Sequence, residues 1–141
     1  MIRRLLFLFL LAVLLLSGCS TSDDLSGKTF DVSVRSSPNN PDKYHAIMTL
    51  EFLDGKVINH SIAGEEGTYE LKDDNFVIQF ENENESLQIE FTLKESDKEF
   101  SQYSAEIIDS DFQMEDAEQV SKYKQFYLDL PSSHVEIIEE K

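Results

Sequence analysis

The 141-residue chain has no tryptophan, one cysteine and five glycines, and it sets only 12 lysines and arginines against 28 aspartates and glutamates. The single cysteine, Cys19, excludes an internal disulfide and any zinc site built on cysteine pairs. The few glycines make no phosphate-cradling loop, and no Gly-x-Ser-x-Gly turn is present to expose a serine nucleophile. The shortage of positive charge excludes electrostatic attachment to nucleic acid or to anionic lipid headgroups. There is one long apolar run, Leu5 to Leu16, and its 12 residues fall short of the roughly 20 that a membrane-crossing helix needs.

That run follows Met1-Ile2-Arg3-Arg4 and leads into Leu16-Ser17-Gly18-Cys19. Positive charge, a short apolar stretch and small residues in this order form an export signal. The tetrapeptide resembles the lipobox of bacterial lipoproteins, which implies cleavage before Cys19 and diacylation of that residue. Two acyl chains anchor stably where one would not, at ~0.8 kcal/mol per buried CH₂. Residues 1–18 are therefore expected to be a signal peptide, 19–26 a polar lipid-anchored tether, and 27–141 the folded domain. The expected location is the extracytoplasmic face of the cell membrane. Without the signal's two arginines, 10 basic residues face 28 acids, a net charge of about −18. Such a surface keeps a tethered domain soluble and attracts cationic proteins.

From Gly27 to about Ile108 apolar and polar residues alternate with period 2, the pattern of strands with one buried face. Phe30, Val32 and Val34 share a face of the first strand, and Tyr44, Ala46, Met48, Leu50 and Phe52 share a face of the second. Turn signals at Asp54-Gly55, Ala63 to Gly67, Asp73 to Asn75, Glu81 to Glu85 and Glu95 to Lys98 divide the rest. The strands between them carry Val57 to Ile62, Thr68 to Leu71, Phe76 to Phe80, Leu87 to Leu93, and Tyr103, Ala105 and Ile107. An eighth strand is expected around Asp111 to Met114. Hairpin-length links favour an up-and-down antiparallel barrel over a Greek key, which needs a long return connection. The period then changes: Ala117, Val120, Tyr123, Tyr127 and Leu130 are spaced for a C-terminal helix over about 116–130, with Asp116 as N-cap and Pro131 as terminator. Val135 to Ile138 could add an edge strand.

Leu25-Ser26-Gly27-Lys28-Thr29-Phe30 before the first strand, with the short-hairpin meander and the late helix, resembles the calycin superfamily, and within it the small lipocalin-like lipoproteins of Gram-positive bacteria. Lipocalins open their first strand with Gly-x-Trp. Gly27 matches, the aromatic is Phe30 at an offset position, and the arginine that usually packs on the Trp has no counterpart, since Arg35 lies on the first strand. The resemblance implies an all-β, lipocalin-like barrel of about eight strands with one C-terminal α-helix.

A barrel of that size can be filled by side chains or hold one small ligand. Ala46 and Ala105 on the expected inner face leave room for a pocket, in which the hydroxyls of Tyr44, Tyr69 and Tyr103 would orient a ligand and Met48 would supply an adaptable apolar wall. The first functional expectation is non-catalytic binding of a small apolar or amphipathic molecule, without a cofactor. The alternative is capture of a basic protein such as a lysozyme-like wall hydrolase, steered by the negative charge. Ser61-Ile62-Ala63-Gly64 and Tyr69 are loosely similar to the loop such inhibitors carry, although the disulfide frequent in them cannot form here. No catalytic or metal residue is expected. Ser132-Ser133-His134 is adjacency without triad geometry, His45 and His60 are scattered, and Glu81, Glu83 and Glu85 lack the spacing of a calcium loop.

Overall fold

A computed structural model describes residues 24–132 and 134–141, so the expected signal segment, Cys19 as the expected lipidation residue and the first part of the expected tether lie outside the described residues. Eight strands form one closed antiparallel sheet: β1 (Thr29–Ser37), β2 (Asn40–Leu53), β3 (Lys56–Asn59), β4 (Glu65–Lys72), β5 (Asn75–Glu81), β6 (Glu85–Glu95), β7 (Tyr103–Met114) and β8 (His134–Glu139). Each strand pairs with the next and β8 pairs back onto β1, which is an up-and-down barrel. The lower end holds the start of β1 and the turns at 54–55, 73–74 and 96–102. The upper end holds the turns at 38–39, 60–64 and 82–84 and the start of the long connection that leaves β7 at residue 115.

Strand alternation produces the core. Phe30, Val32, Met48, Leu50, Phe52, Val57, Phe76, Ile78, Phe80, Leu87, Ile89 and Phe91 are all buried inside the barrel. In the lower half Phe52 lies edge-on to Phe30 at 5.8 Å and to Tyr69 at 4.9 Å, and Phe76 bridges Phe52 and Phe91 at 5.8 and 5.5 Å. Leu25 closes the lower end, where the Gly27 N–H donates to the Phe52 carbonyl. Gly55, at φ +69°, makes the two-residue hairpin between β2 and β3, a conformation a side chain would strain. Gly67 is needed for a different reason: a Cβ there would sit 2.3 Å from the Gln79 carbonyl oxygen and 2.7 Å from the Phe80 ring. Gly67→Ala is expected to destabilise the domain by about 1–3 kcal/mol, read as a lower urea midpoint with an unchanged slope.

The structure departs from sequence expectation in five places. The third strand ends at Asn59 and not at Ile62, because residues 60–64 make the turn and β4 already starts at Glu65. Asp111 to Met114 are not a separate strand, because β7 runs on past a bulge at Ile108 and pairs with β6 along its whole length. Val135 to Ile138 do not form an edge, because β8 lies between β7 and β1 and closes the barrel. The helix α1 spans only Lys124–Leu128 instead of 116–130. Asp116 accepts from the Glu118 N–H within a turn, and Ala117 and Val120 find nothing to pack on, Val120 being 95% exposed. Helical spacing without an apolar surface to cover does not hold a helix. Finally, Tyr44 and Ala46 do not share a face with Met48. The register passes from Val32↔Met48 to Ser33↔Ala46, so Ile47 is an extra residue in β2 that inverts the alternation beyond it.

Candidate functional site

The four residues expected to line a ligand pocket are not brought together. Met48 is fully buried among core side chains, and Tyr69 is wedged between Phe52 and Phe76. Tyr103 is half-buried beside Phe30 at the lower end, where burial first and then Asp24 and Glu95 raise its phenol above the ordinary value. Tyr44 stands outside the barrel against Phe100, 5.5 Å away, because of the β2 bulge. Ala46 is exposed and Ala105 is packed in the core. A water-sized void beside Met48, Leu50, Ile78 or Ile89 would give them accessible surface, and each has none. One polar atom inside lacks a partner among the described residues. Asn59 is fully buried and its Oδ1 accepts from the Ser61 N–H at 2.9 Å, while its Nδ2 finds no acceptor.

Two buried carboxylates were not visible as such in the sequence. Glu136 alternates with Val135 and Ile137 and so points outward from β8, yet the 96–102 loop folds over it and leaves it with no exposure. Its carboxylate accepts from Ser101 Oγ at 2.7 Å, Ser104 Oγ at 2.9 Å, Ser96 Oγ at 3.0 Å and His134 Nε2 at 2.9 Å, and Lys98 Nζ lies at 3.0 Å. Burial alone would raise the pKa; the hydrogen bonds from Ser101, His134, Lys98 and Ser104 outweigh it and hold the group at about 2. Glu85, at the upper end, likewise has its carboxyl held below the ordinary value: burial opposes this, and Ser121 Oγ, the Lys122 N–H and Asn82 overcome it. Glu85 thereby fastens the connection between β7 and β8 onto the barrel mouth.

Tyr123 follows in that connection and plugs the mouth. It is fully buried, 6.2 Å from Phe80, with its hydroxyl donating to Glu65 at 3.2 Å. Burial, then the Glu65 carboxylate, push its phenol up to about 12. Lys122 completes the fastening with a 2.7 Å ion pair to Glu65. Phe126, Tyr127 and Leu130 pack below, Tyr127 stacking on Phe112 at 5.6 Å.

The outer surface is where charge accumulates. Glu66, Glu81, Glu83, Glu115, Asp116 and Glu118 are exposed around the upper end. Among the described residues no group of three His, Cys, Asp or Glu converges as a metal ion requires. His45 faces Ser36 and His60 pairs with Glu51, well apart in the sheet. No protein-family model, curated protein or solved structure matches the chain.

Proposed function

We propose that the protein is a lipid-anchored, extracytoplasmic barrel of lipocalin-like kind that binds a cationic protein through its outer surface and performs no catalysis. The observation that carries this reading is the packed barrel interior: Met48, Leu50, Ile78 and Ile89 have no accessible surface, Tyr69 is packed among phenylalanines and Tyr44 stands outside, which leaves the acidic exterior to meet partners. A tether leading from Cys19 to Leu25 puts the lower end beside the membrane, and the acid-rich upper end then faces outward. A net charge of about −18 accelerates encounter with a basic partner, a lysozyme-like wall hydrolase being one of suitable charge.

The test is calorimetric titration of the full chain in detergent with a basic lysozyme. Binding at low ionic strength that weakens about tenfold or more between 50 and 300 mM salt is expected, since exposed charges are screened within about 10 Å. Absence of both binding and lysozyme inhibition at micromolar protein and low salt overturns the reading.

A carrier function for a small apolar or amphipathic ligand has one observation on its side, the orphan Asn59 Nδ2, which an acceptor on a bound molecule would satisfy. Mass spectrometry of organic extracts from the purified protein decides it. A single recurrent compound whose addition raises the Tm would restore the carrier; repeatedly empty extracts, the result expected here, remove it.

A further inference from the structure

The barrel closes unevenly. β8 pairs with β7 only from Tyr103 to Glu106, and with β1 only from Phe30 to Ser33. Above that, Ile107 to Met114 have a ladder partner, β6, on one side alone among the described residues. Next to the bulge, the Ser110 N–H donates to the carboxylate of its own neighbour Asp109 at 2.9 Å. An unpaired strand edge is a template for another strand.

Beside this edge runs a cleft of about 480 Å³ between β7 and the end of α1, lined by Ile107, Ile108, Tyr127, Leu128, Leu130 and Pro131 among others. Ile108 is 53% and Leu128 62% exposed, and neither is needed to fill the core. The edge is therefore bordered by apolar surface that water covers at a cost. Its charged residues are mostly acidic: Glu106, Asp109 and Asp111 on β7 and Asp129 after α1 are all exposed, against one lysine, Lys124, at the start of the helix. Acids on an edge repel a second copy of a chain with a net charge of −16, so self-pairing is opposed. They favour a strand that brings lysine or arginine.

We propose that the upper edge of β7 and its cleft take an extended, basic segment of the partner protein, which adds a strand antiparallel to Ile107–Met114. Its alternate apolar side chains rest on Ile108 and Leu128, and its basic side chains lie beside Asp109 and Asp111. This rests on the cationic-partner reading and gives it a site and a binding mode. Main-chain hydrogen bonds would supply affinity, and the alternation of apolar and basic residues would supply selectivity.

Hydrogen exchange on the full chain in detergent tests it, with a synthetic peptide alternating lysine and valine as probe. Slowed exchange of amides within Ile107–Met114 is expected, together with about tenfold weaker binding to Leu128→Glu or Ile108→Glu, both changes at exposed positions. A glutamate–valine peptide and a backbone N-methylated lysine–valine peptide should give no protection. Peptide binding that protects no β7 amide, or that survives N-methylation, overturns the strand-addition site while leaving a cationic partner standing. Failure of the lysine–valine peptide to bind overturns the site, and the lysozyme titration then decides the cationic-partner reading by itself. Protection of β7 that rises with protein concentration and no peptide shows a second copy as the occupant and also overturns the proposal.

Discussion

Replacing Tyr123 with alanine is expected to destabilise the domain by about 3–5 kcal/mol, the range for removing a fully buried aromatic ring, and to lower the Tm by on the order of 10–20 °C. The ring lies over Phe80 at the barrel mouth, and it is the only residue of the 115–132 stretch that is fully buried. Truncation would leave a hole there and free the connection between β7 and β8, so thermal unfolding by circular dichroism should be accompanied by faster hydrogen exchange in residues 119–130. Tyr123→Phe keeps the ring and loses only the hydroxyl bond to Glu65, so a much smaller drop, about 1 kcal/mol, is expected. Equal losses in the two variants would mean that the hydrogen bond, and not the filling of the mouth, holds the connection down.

The second large effect belongs to Glu136. Removing one partner from a buried charged cluster leaves the others unpaired, and Glu136→Ala is expected to destabilise by about 3–5 kcal/mol. The pH dependence gives a sharper signature. The folded carboxyl titrates at about 2 against an ordinary 4.5, so between those values the unfolded chain binds the extra proton. The stability it supplies is therefore complete above about pH 5 and is lost as the pH falls through about 2. The gap corresponds to about 3 kcal/mol. Glu85, shifted in the same direction, adds to the slope. Urea midpoints from pH 7 down to pH 2 should fall steeply for the native chain and less steeply for Glu136→Gln. Parallel pH profiles for the two proteins would mean that Glu136 carries no such linkage.

These two positions differ in how far the sequence disclosed them. Tyr123 was legible as an apolar residue on a helical face, together with Tyr127 and Leu130, and all three do turn toward the barrel. The helix around them was not, because the spacing of Ala117 and Val120 says nothing about whether a surface exists for them to cover. Glu136 was invisible as a buried group. Alternation placed it outward beside Val135 and Ile137, where a glutamate ordinarily meets water, and only the folding-over of the 96–102 loop removes it from solvent. The clustering of Ser96, Ser101 and Ser104 before and within β7 is the one trace in the chain, and it acquires meaning only when β8 arrives alongside.

The pocket residues show the same division. Tyr44, Ala46 and Met48 are separated by single residues, and uninterrupted alternation would put them on one wall. A bulge at Ile47 depends on how β1 and β2 match their ladders while the sheet curls, which no local pattern in β2 encodes. Period-2 patterning, the turn residues and the short links did point to an antiparallel up-and-down meander, and favoured a barrel. Each strand has one apolar face, hairpin links leave neighbours in sequence as neighbours in space, and such faces are covered either by a second sheet or by the sheet closed on itself, which is the solution the chain adopts. What remained for tertiary structure to decide were the features set by distant meetings: that the 134–139 strand and not 111–114 completes the ring, that Met48, Leu50, Ile78 and Ile89 are packed without accessible surface, and that the edge above Glu106 has no second ladder partner among the described residues. Those depend on the relative lengths and registers of strands far apart in the chain, and register is a property of pairs.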